Sequence, residues 1–167
     1  MLYYVTFLTA LGWIGALSSS QGIVKTTFPL RSEELALESL NLETTKVVNS
    51  NRPFGDIIKF YAEYFSGHNI FFSGKFDFTN ATAFQQIVWK ATCHIPYGKT
   101  RSYRWIALNI DKPFSYRAVG NALNKNPLPI IIPCHRVINS NGQLGGYGGG
   151  LDIKKYLLNL ETNSRSP

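Results

Sequence analysis

The chain has 167 residues, 44% of them hydrophobic and 16% charged, which suits one compact domain or two small lobes and is too apolar for a disordered chain. Two cysteines exclude a disulfide-built scaffold, and the lack of repeated uncharged apolar runs of about 18 or more residues excludes a multispan membrane protein. The net charge of +7 is uneven: residues 1–80 hold six Lys/Arg against seven Asp/Glu, and residues 81–167 hold eleven against three, so the second half faces either a polyanion, nucleic acid first, or simply solvent as a basic surface.

Met1 to Val24 carry no charge. A secretory signal fails as a reading because no Lys or Arg precedes the apolar stretch Leu2–Leu17, and Gly12 and Gly15 interrupt it. The segment reads instead as strands Tyr4–Leu8, Gly12–Leu17 and Ile23–Phe28, with a turn at Ser18–Gly22, in an antiparallel hairpin or meander of an intracellular protein. Ser32 caps a short helix over Glu33–Leu40. Residues 41–52 are polar and read as loop. Pro53 opens a helix to Phe65, whose Ile57, Ile58, Tyr61, Tyr64 and Phe65 share one face, and Gly67 stops it. Ile70–Phe72 reads as a short strand and Ser73–Asn80 as a linker. Residues 1–78 are thus expected to form an N-terminal α+β lobe, and 79–167 a C-terminal, mostly helical domain.

In the second half, Thr82-Ala83-Phe84-Gln85 is a capping box, followed by an inward stripe of Phe84, Ile87, Val88 and Ala91. Ser102 caps a helix carrying Ile106, Ala107 and Ile110; Ser115 caps another carrying Val119, Ala122 and Leu123. Two short helices joined by a tight turn, the second bearing Arg117 and Lys125, fit a helix-turn-helix or an ordinary helical hairpin, and the local positive charge favours the first. The glycine-dense loop Gly145–Gly150 lacks phosphate-loop spacing and suits tight turns. A closing helix over Leu151–Glu161 turns Ile153, Tyr156, Leu157 and Leu160 inward.

Ile130-Ile131-Ile132 leads into Pro133-Cys134-His135-Arg136-Val137-Ile138. A cysteine beside His and Arg has the electropositive setting that lowers a thiol pKa, whereas an arbitrary buried cysteine is inert. Three chemistries compete: a direct Cys–His pair, awkward because neighbouring side chains on an extended segment point apart; a metal site, although neither Cys93-His94 nor Cys134-His135 has ligand spacing; and a thiolate attacking carbon, activated by His135 through a water. Cys93 reads as a packing residue.

The run Pro133 to Ile138 resembles the active-site motif of the O6-alkylguanine-DNA alkyltransferases, the methylated-DNA–protein-cysteine methyltransferases. The likeness extends from about Thr82 to Glu161: Thr82–Gln85 with Val88-Trp89, Ile95 to Thr100, Ser102-Tyr103, Arg117-Ala118-Val119-Gly120, Asn126-Pro127, and Gly146-Tyr147 through Gly149-Gly150 follow in family order. Residues 1–80 resemble the family only at Leu11–Gly15 and Phe28-Pro29-Leu30.

This resemblance implies single-use repair, with an alkyl group moved irreversibly from guanine O6, more weakly from thymine O4, to Cys134. It implies a relay from Cys134 through water to His135 and Glu161, with Asn126 holding the hinge. Tyr103 is implied to help rotate the nucleotide out of the duplex and to donate to the flipped base. Arg117 is the implied finger residue; Ala118 and Gly120 permit close approach to the minor groove, flanked by Ser115, Tyr116, Lys125 and Arg136. Val137, Leu144, Tyr147, Gly148 and Lys154, the last at the rim, are implied to line the alkylguanine pocket. No metal or other cofactor is implied. The expected partner is double-stranded DNA met by a monomer, with no membrane, in cytoplasm or, in a eukaryote, the nucleus. Tyr116 departs from the family's small residue or proline, and Gly148 from a frequent serine. Two alternatives are a non-catalytic lesion binder, whose known examples carry tryptophan where this chain has Cys134, and a helix-turn-helix regulator.

Overall fold

The computed structural model describes residues 1–42 and 46–163, and the chain divides into two compact units, Met1–Thr79 and a second beginning at Asn80. Together they give the expected mixture of sheet and helices, an α+β fold.

The first unit starts with a meander. β1 (Leu2–Thr9) pairs antiparallel with β2 (Gly12–Ser18), from Tyr3↔Ser18 to Thr9↔Gly12, and β2 pairs with β3 (Ile23–Thr26). The Thr9 hydroxyl donates to Gly12 O at 2.7 Å and closes the β1–β2 turn. Helix α1 (Glu33–Glu38) is capped by Ser32 and lies so close to β2 that a Cβ on Gly15 would stand 2.6 Å from Ala36 O; only glycine permits that approach. Helix α2 (Gly55–Phe65) follows a 3-10 turn at Arg52–Phe54 and buries Ile57, Phe60, Tyr61, Tyr64 and Phe65. Tyr61 ties it to the sheet, its ring 5.7 Å from that of Phe7 and its hydroxyl 3.0 Å from Thr26 Oγ1.

Several expectations for this unit change. The stretch 41–52 contains β4 (Val47–Asn49), which extends the sheet to the order β3-β2-β1-β4 by pairing parallel with β1; its polar composition hid an edge strand, which needs little burial. Residues 43–45 of that stretch lie outside the described residues. Ile70–Phe72 is not a strand. The sheet edge is met later, where Phe76 bridges Ile23 and the Ser19 hydroxyl donates to Asp77 at 2.5 Å, so much of 73–80 is tied down rather than a linker. Ile58 is only half-buried, and Phe60 takes the inward place.

In the second unit, Thr82 and Gln85 form both halves of the capping box that opens α3 (Ala83–Cys93). Its inward face is Val88, Trp89, Ala91 and Thr92, not Phe84 and Ile87; Ile87 is exposed and Phe84 half-buried. Trp89 turns the face, because its Nε1–H donates to Ala122 O at 2.9 Å. Cys93, expected to pack, is exposed. A two-residue strand β5 (Arg101–Ser102) leads into α4 (Tyr103–Asn109), which Ser102 caps, and α5 (Tyr116–Asn124) follows after a tight turn. Ile106, Ala107, Val119, Ala122 and Leu123 bury the expected seam, while Ile110 is only half-buried. Ser115 stands at the N-cap of α5 but its hydroxyl makes no capping bond. β6 (Val137–Ile138) pairs parallel with β5, and α6 (Leu151–Asn163) closes the unit. On α6, Lys154, Leu157 and Glu161 are the buried residues, while Tyr156 faces out. Among the described residues no helix is long and apolar enough to cross a membrane.

Candidate functional site

Cys134 does not sit on an extended segment. It opens a 3-10 turn, Cys134–Arg136, between buried Ile132 and β6. The turn is prepared upstream: Ile130 adopts φ +73°, a left-handed conformation that a β-branched residue resists and that the surrounding packing must enforce. Asn126 organises this loop. Its Oδ1 accepts from Leu128 N at 2.9 Å, and its Nδ2 donates to Ile132 O at 2.9 Å and to Cys134 Sγ at 3.1 Å. The β5–β6 pairing, Arg101↔Val137 and Ser102↔Ile138, holds this turn beside the start of α4 and therefore beside Tyr103.

His135 is fully buried, and its Nε2 lies 2.7 Å from Glu161 Oε1. Glu161, in the last turn of α6, also accepts from Arg136 Nε at 2.9 Å and Nη2 at 3.0 Å, and from Gly98 N at 3.0 Å. Burial alone would raise the carboxyl; hydrogen bonds and charge from His135 and Arg136 outweigh it and hold Glu161 at about 2. An ionised carboxylate only accepts, so His135 Nε2 carries its proton, and Nδ1 is the acceptor nitrogen of the neutral ring. Burial lowers the His135 pKa against the pull of Glu161 and keeps the ring neutral. The thiol shifts the other way. Burial raises the Cys134 pKa, opposed by the Asn126 hydrogen bond, the charge of Lys154 and backbone N–H groups. The resting site thus pairs a protonated thiol with a neutral imidazole, rather than holding a ready-made thiolate.

Arg136 is a correction. It was expected on DNA, but it is 6% exposed, clamped on Glu161, donating to Ile95 O at 2.8 Å and stacked 5.5 Å over the Tyr97 ring. A guanidinium 6% exposed and paired with a buried carboxylate is turned away from any phosphate outside. Lys154 is a second correction. It is wholly buried rather than at a rim, and its Nζ donates to Val137 O at 2.7 Å and to the carbonyls of Leu144 and Gly146. Burial lowers it to about 8. It gathers β6 and the following glycine-rich loop by their backbone.

Tyr103 is half-buried at the first turn of α4. A Cβ on Gly145, at φ +69°, would come within 3.0 Å of its hydroxyl, and one on Gly120 within 3.8 Å of its ring. Tyr103 therefore lies between the glycine-rich loop and α5. Tyr147 meets the His135 ring edge-on, centroids 6.4 Å apart, and has Lys154 Nζ 5.9 Å from its own ring. Leu144 is half-buried and Gly148 exposed. On α5 and its flanks, Tyr116, Arg117, Ala118 and Lys125 are exposed and Ser115 and Gly120 half-buried. The Arg117 guanidinium rests 5.9 Å from the Tyr116 ring.

Sequence reasoning missed the Arg136–Glu161 pair and the Gly98 N–H. A signal existed: Lys154, Leu157 and Glu161 recur at spacings of three and four, so two charges share a stripe with leucine, and the half contains only three acids. Among the described residues no group of three His, Cys, Asp or Glu side chains is placed to hold a metal ion.

Residues 83–163 match the family model described as the DNA-binding domain of 6-O-methylguanine DNA methyltransferase. The chain is 56% identical over 112 residues to the methylated-DNA–protein-cysteine methyltransferase of Methanosarcina barkeri, covering 64% of this chain and 71% of that one. It is 39% identical over 160 residues to that of Methanosarcina acetivorans, covering 96% and 98%. The crystal structure of Mycobacterium tuberculosis OGT in complex with DNA superposes with a TM-score of 0.83 at 36% identity, over 97% of this chain and 94% of that one. By the Methanosarcina acetivorans relative and this structure, both of which cover nearly the whole chain, the chain belongs to the methylated-DNA–protein-cysteine methyltransferase family.

Proposed function

We propose that the protein repairs alkylated DNA by a single, irreversible transfer of the alkyl group from guanine O6, more weakly from thymine O4, to Cys134. One observation carries the reading: the Cys134 sulfur is held by Asn126 at 3.1 Å, and the next residue pairs with a buried Glu161 at 2.7 Å. A nucleophile, a neutral base and an orienting carboxylate thus occur in one turn and one helix end.

The proton of Cys134 passes through a water to His135 Nδ1, and Glu161 stabilises the resulting imidazolium. The thiolate attacks the alkyl carbon in line with the departing O6. The sulfur–carbon bond forms, the carbon–oxygen bond breaks, and the electron pair stays with guanine. Tyr103 donates a proton to a ring nitrogen of the base. Burial raises the Tyr103 pKa, with the Cys134 charge adding to it, so the phenol stays protonated until then. A thioether has no easy hydrolytic exit, so each molecule acts once.

Residues 79–167 serve as the DNA-binding and transfer domain. The protein works as a monomer in the cytoplasm, or in the nucleus of a eukaryote. It meets the minor groove of double-stranded DNA through α5: Ala118 and Gly120 allow close approach, and Arg117 fills the space the flipped nucleotide leaves. Ser115, Tyr116 and Lys125 flank that contact, and Val137, Leu144, Tyr147 and Gly148 surround the flipped base. Incubation with duplex DNA containing O6-methylguanine is expected to add about 14 Da to the intact mass, on the peptide carrying Cys134. An unchanged mass on folded protein overturns the reading, as does undiminished repair by Cys134→Ser.

A further inference from the structure

Phe114 is the most exposed large apolar side chain among the described residues, at 92%. It stands in the turn between α4 and α5, and that turn is stiff. Asp111 N donates to Leu108 O at 3.1 Å, Lys112 N to Ala107 O at 2.9 Å and Ser115 N to Lys112 O at 2.9 Å. Pro113 fixes the backbone immediately before the ring. The phenyl group is therefore presented to solvent on a braced turn. Leu108 (52% exposed) and Tyr116 (46%) adjoin it along the chain. Single exposed apolar residues need no explanation, but three within nine residues on one motif do.

The surroundings say what covers them. Between residues 99 and 125 the chain carries Lys99, Arg101, Arg104, Lys112, Arg117 and Lys125 against the single acid Asp111, and all six cations are exposed. Such a field attracts a polyanion. A phenyl ring offers no hydrogen bond to phosphate, so what it gains from nucleic acid is the flat face of a base.

We propose that Phe114 is a base-stacking wedge, inserted at a base step of the duplex when α5 docks. The inference rests on the DNA-repair reading of the site. It adds an apolar hold on DNA that this chain builds from its own turn, beside the Arg117 finger. Tyr116, under the Arg117 guanidinium, keeps that cation oriented next to the wedge. An inserted ring unstacks a step, so it favours duplexes already weakened by a poorly paired lesion.

The test compares wild type with Phe114→Ala and Phe114→Trp on a duplex carrying 2-aminopurine beside O6-methylguanine. Phe114→Ala is expected to weaken duplex binding roughly tenfold and to reduce the 2-aminopurine fluorescence rise. The slope of log affinity against log salt should stay as in wild type, because no charge is lost. Phe114→Trp should restore both signals. Equal binding and fluorescence for Phe114→Ala and wild type overturns the wedge. So does a changed salt slope, or a wild-type dimer that Phe114→Ala dissociates while duplex affinity holds, which would make this face a contact between copies. The mass measurement on Cys134 separates the two readings. A methylated Cys134 with a silent Phe114→Ala sinks only the wedge; an unmodified Cys134 with a tenfold loss sinks only the repair reading.

Discussion

The buried network behind Cys134 and the exposed face of α5 lie in one unit and obey opposite rules. Behind Cys134, four charged or titratable side chains, His135, Arg136, Lys154 and Glu161, are all under a tenth exposed. Each is held by another of the four or by backbone groups, so removing one strands its partner away from water. On α5, Arg117 and Lys125 stand in solvent, where a lost charge is replaced by water and ions. Substitutions in the network should therefore act on folding and chemistry together, and those on α5 on the engagement of DNA with little effect on folding.

The largest break is Arg136→Met. It leaves the Glu161 carboxylate buried against His135 without the guanidinium that balances it, and chemical denaturation should show a loss of about 3–5 kcal/mol. A loss below about 1 kcal/mol would mean that Arg136 reaches solvent. Acid probes the same network without mutation. Glu161 titrates at about 2 in the folded chain against 4.5 unfolded. The unfolded chain thus takes up a proton first as pH falls, and the stabilisation, on the order of 3 kcal/mol, is complete above 4.5 and disappears as pH falls through 2. His135, whose folded pKa also lies below its ordinary value, adds a loss in the same direction beginning near 6.5. Denaturation midpoints at stepped pH should fall in that window, and Glu161→Gln should flatten the acid limb.

Asn126→Ala sharpens the boundary between stability and chemistry. Asn126 donates to the Cys134 sulfur, and this hydrogen bond is the first influence opposing the burial that raises the thiol pKa. A hydrogen bond to a charged group contributes roughly 1.5–3 kcal/mol, so the single-turnover transfer rate should fall about tenfold or more. The pH at which iodoacetamide labels Cys134 should move up. A variant that merely loosens the loop would instead expose the thiol and label faster at neutral pH.

How far these regions could be read from sequence follows the same division. The Thr82–Gln85 capping box, the meander and the α4–α5 pair were legible because local rules dictate them: a hydroxyl three residues before a Gln, β-formers between turn residues, apolar spacing of three and four. The direction of the Cys134 pKa was not. Neighbouring His and Arg point to a lowered thiol, but the His135 ring is neutral, both side chains are turned to Glu161, and burial decides instead. Arg136 reads as a DNA contact because a cation near a basic motif looks exposed, and its partner lies 25 residues away. The strand at Val47–Asn49 escaped because two valines in a polar stretch are too short a signal, and their pairing with β1 is a long-range choice. Pairings between distant charges and between distant strands are fixed by tertiary packing, which a single sequence encodes only weakly.

The smallest expected effect lies on the exposed face. Lys125 caps the C-terminal end of α5, where a cation gains a few tenths of a kcal/mol from the helix dipole. Lys125→Ala should therefore leave the denaturation midpoint almost where it was. If its ammonium neutralises one phosphate, duplex affinity falls uniformly across sequences, and the salt slope of log affinity drops by about 0.9. Arg117→Ala should differ in kind. A finger that fills the gap left by a flipped nucleotide slows transfer from duplex DNA more than it weakens binding, so the two variants separate on a plot of single-turnover rate against affinity. Should both fall on one line, Arg117 is another phosphate contact, and the contrast between the buried network and α5 loses its one exposed residue with a role in the reaction.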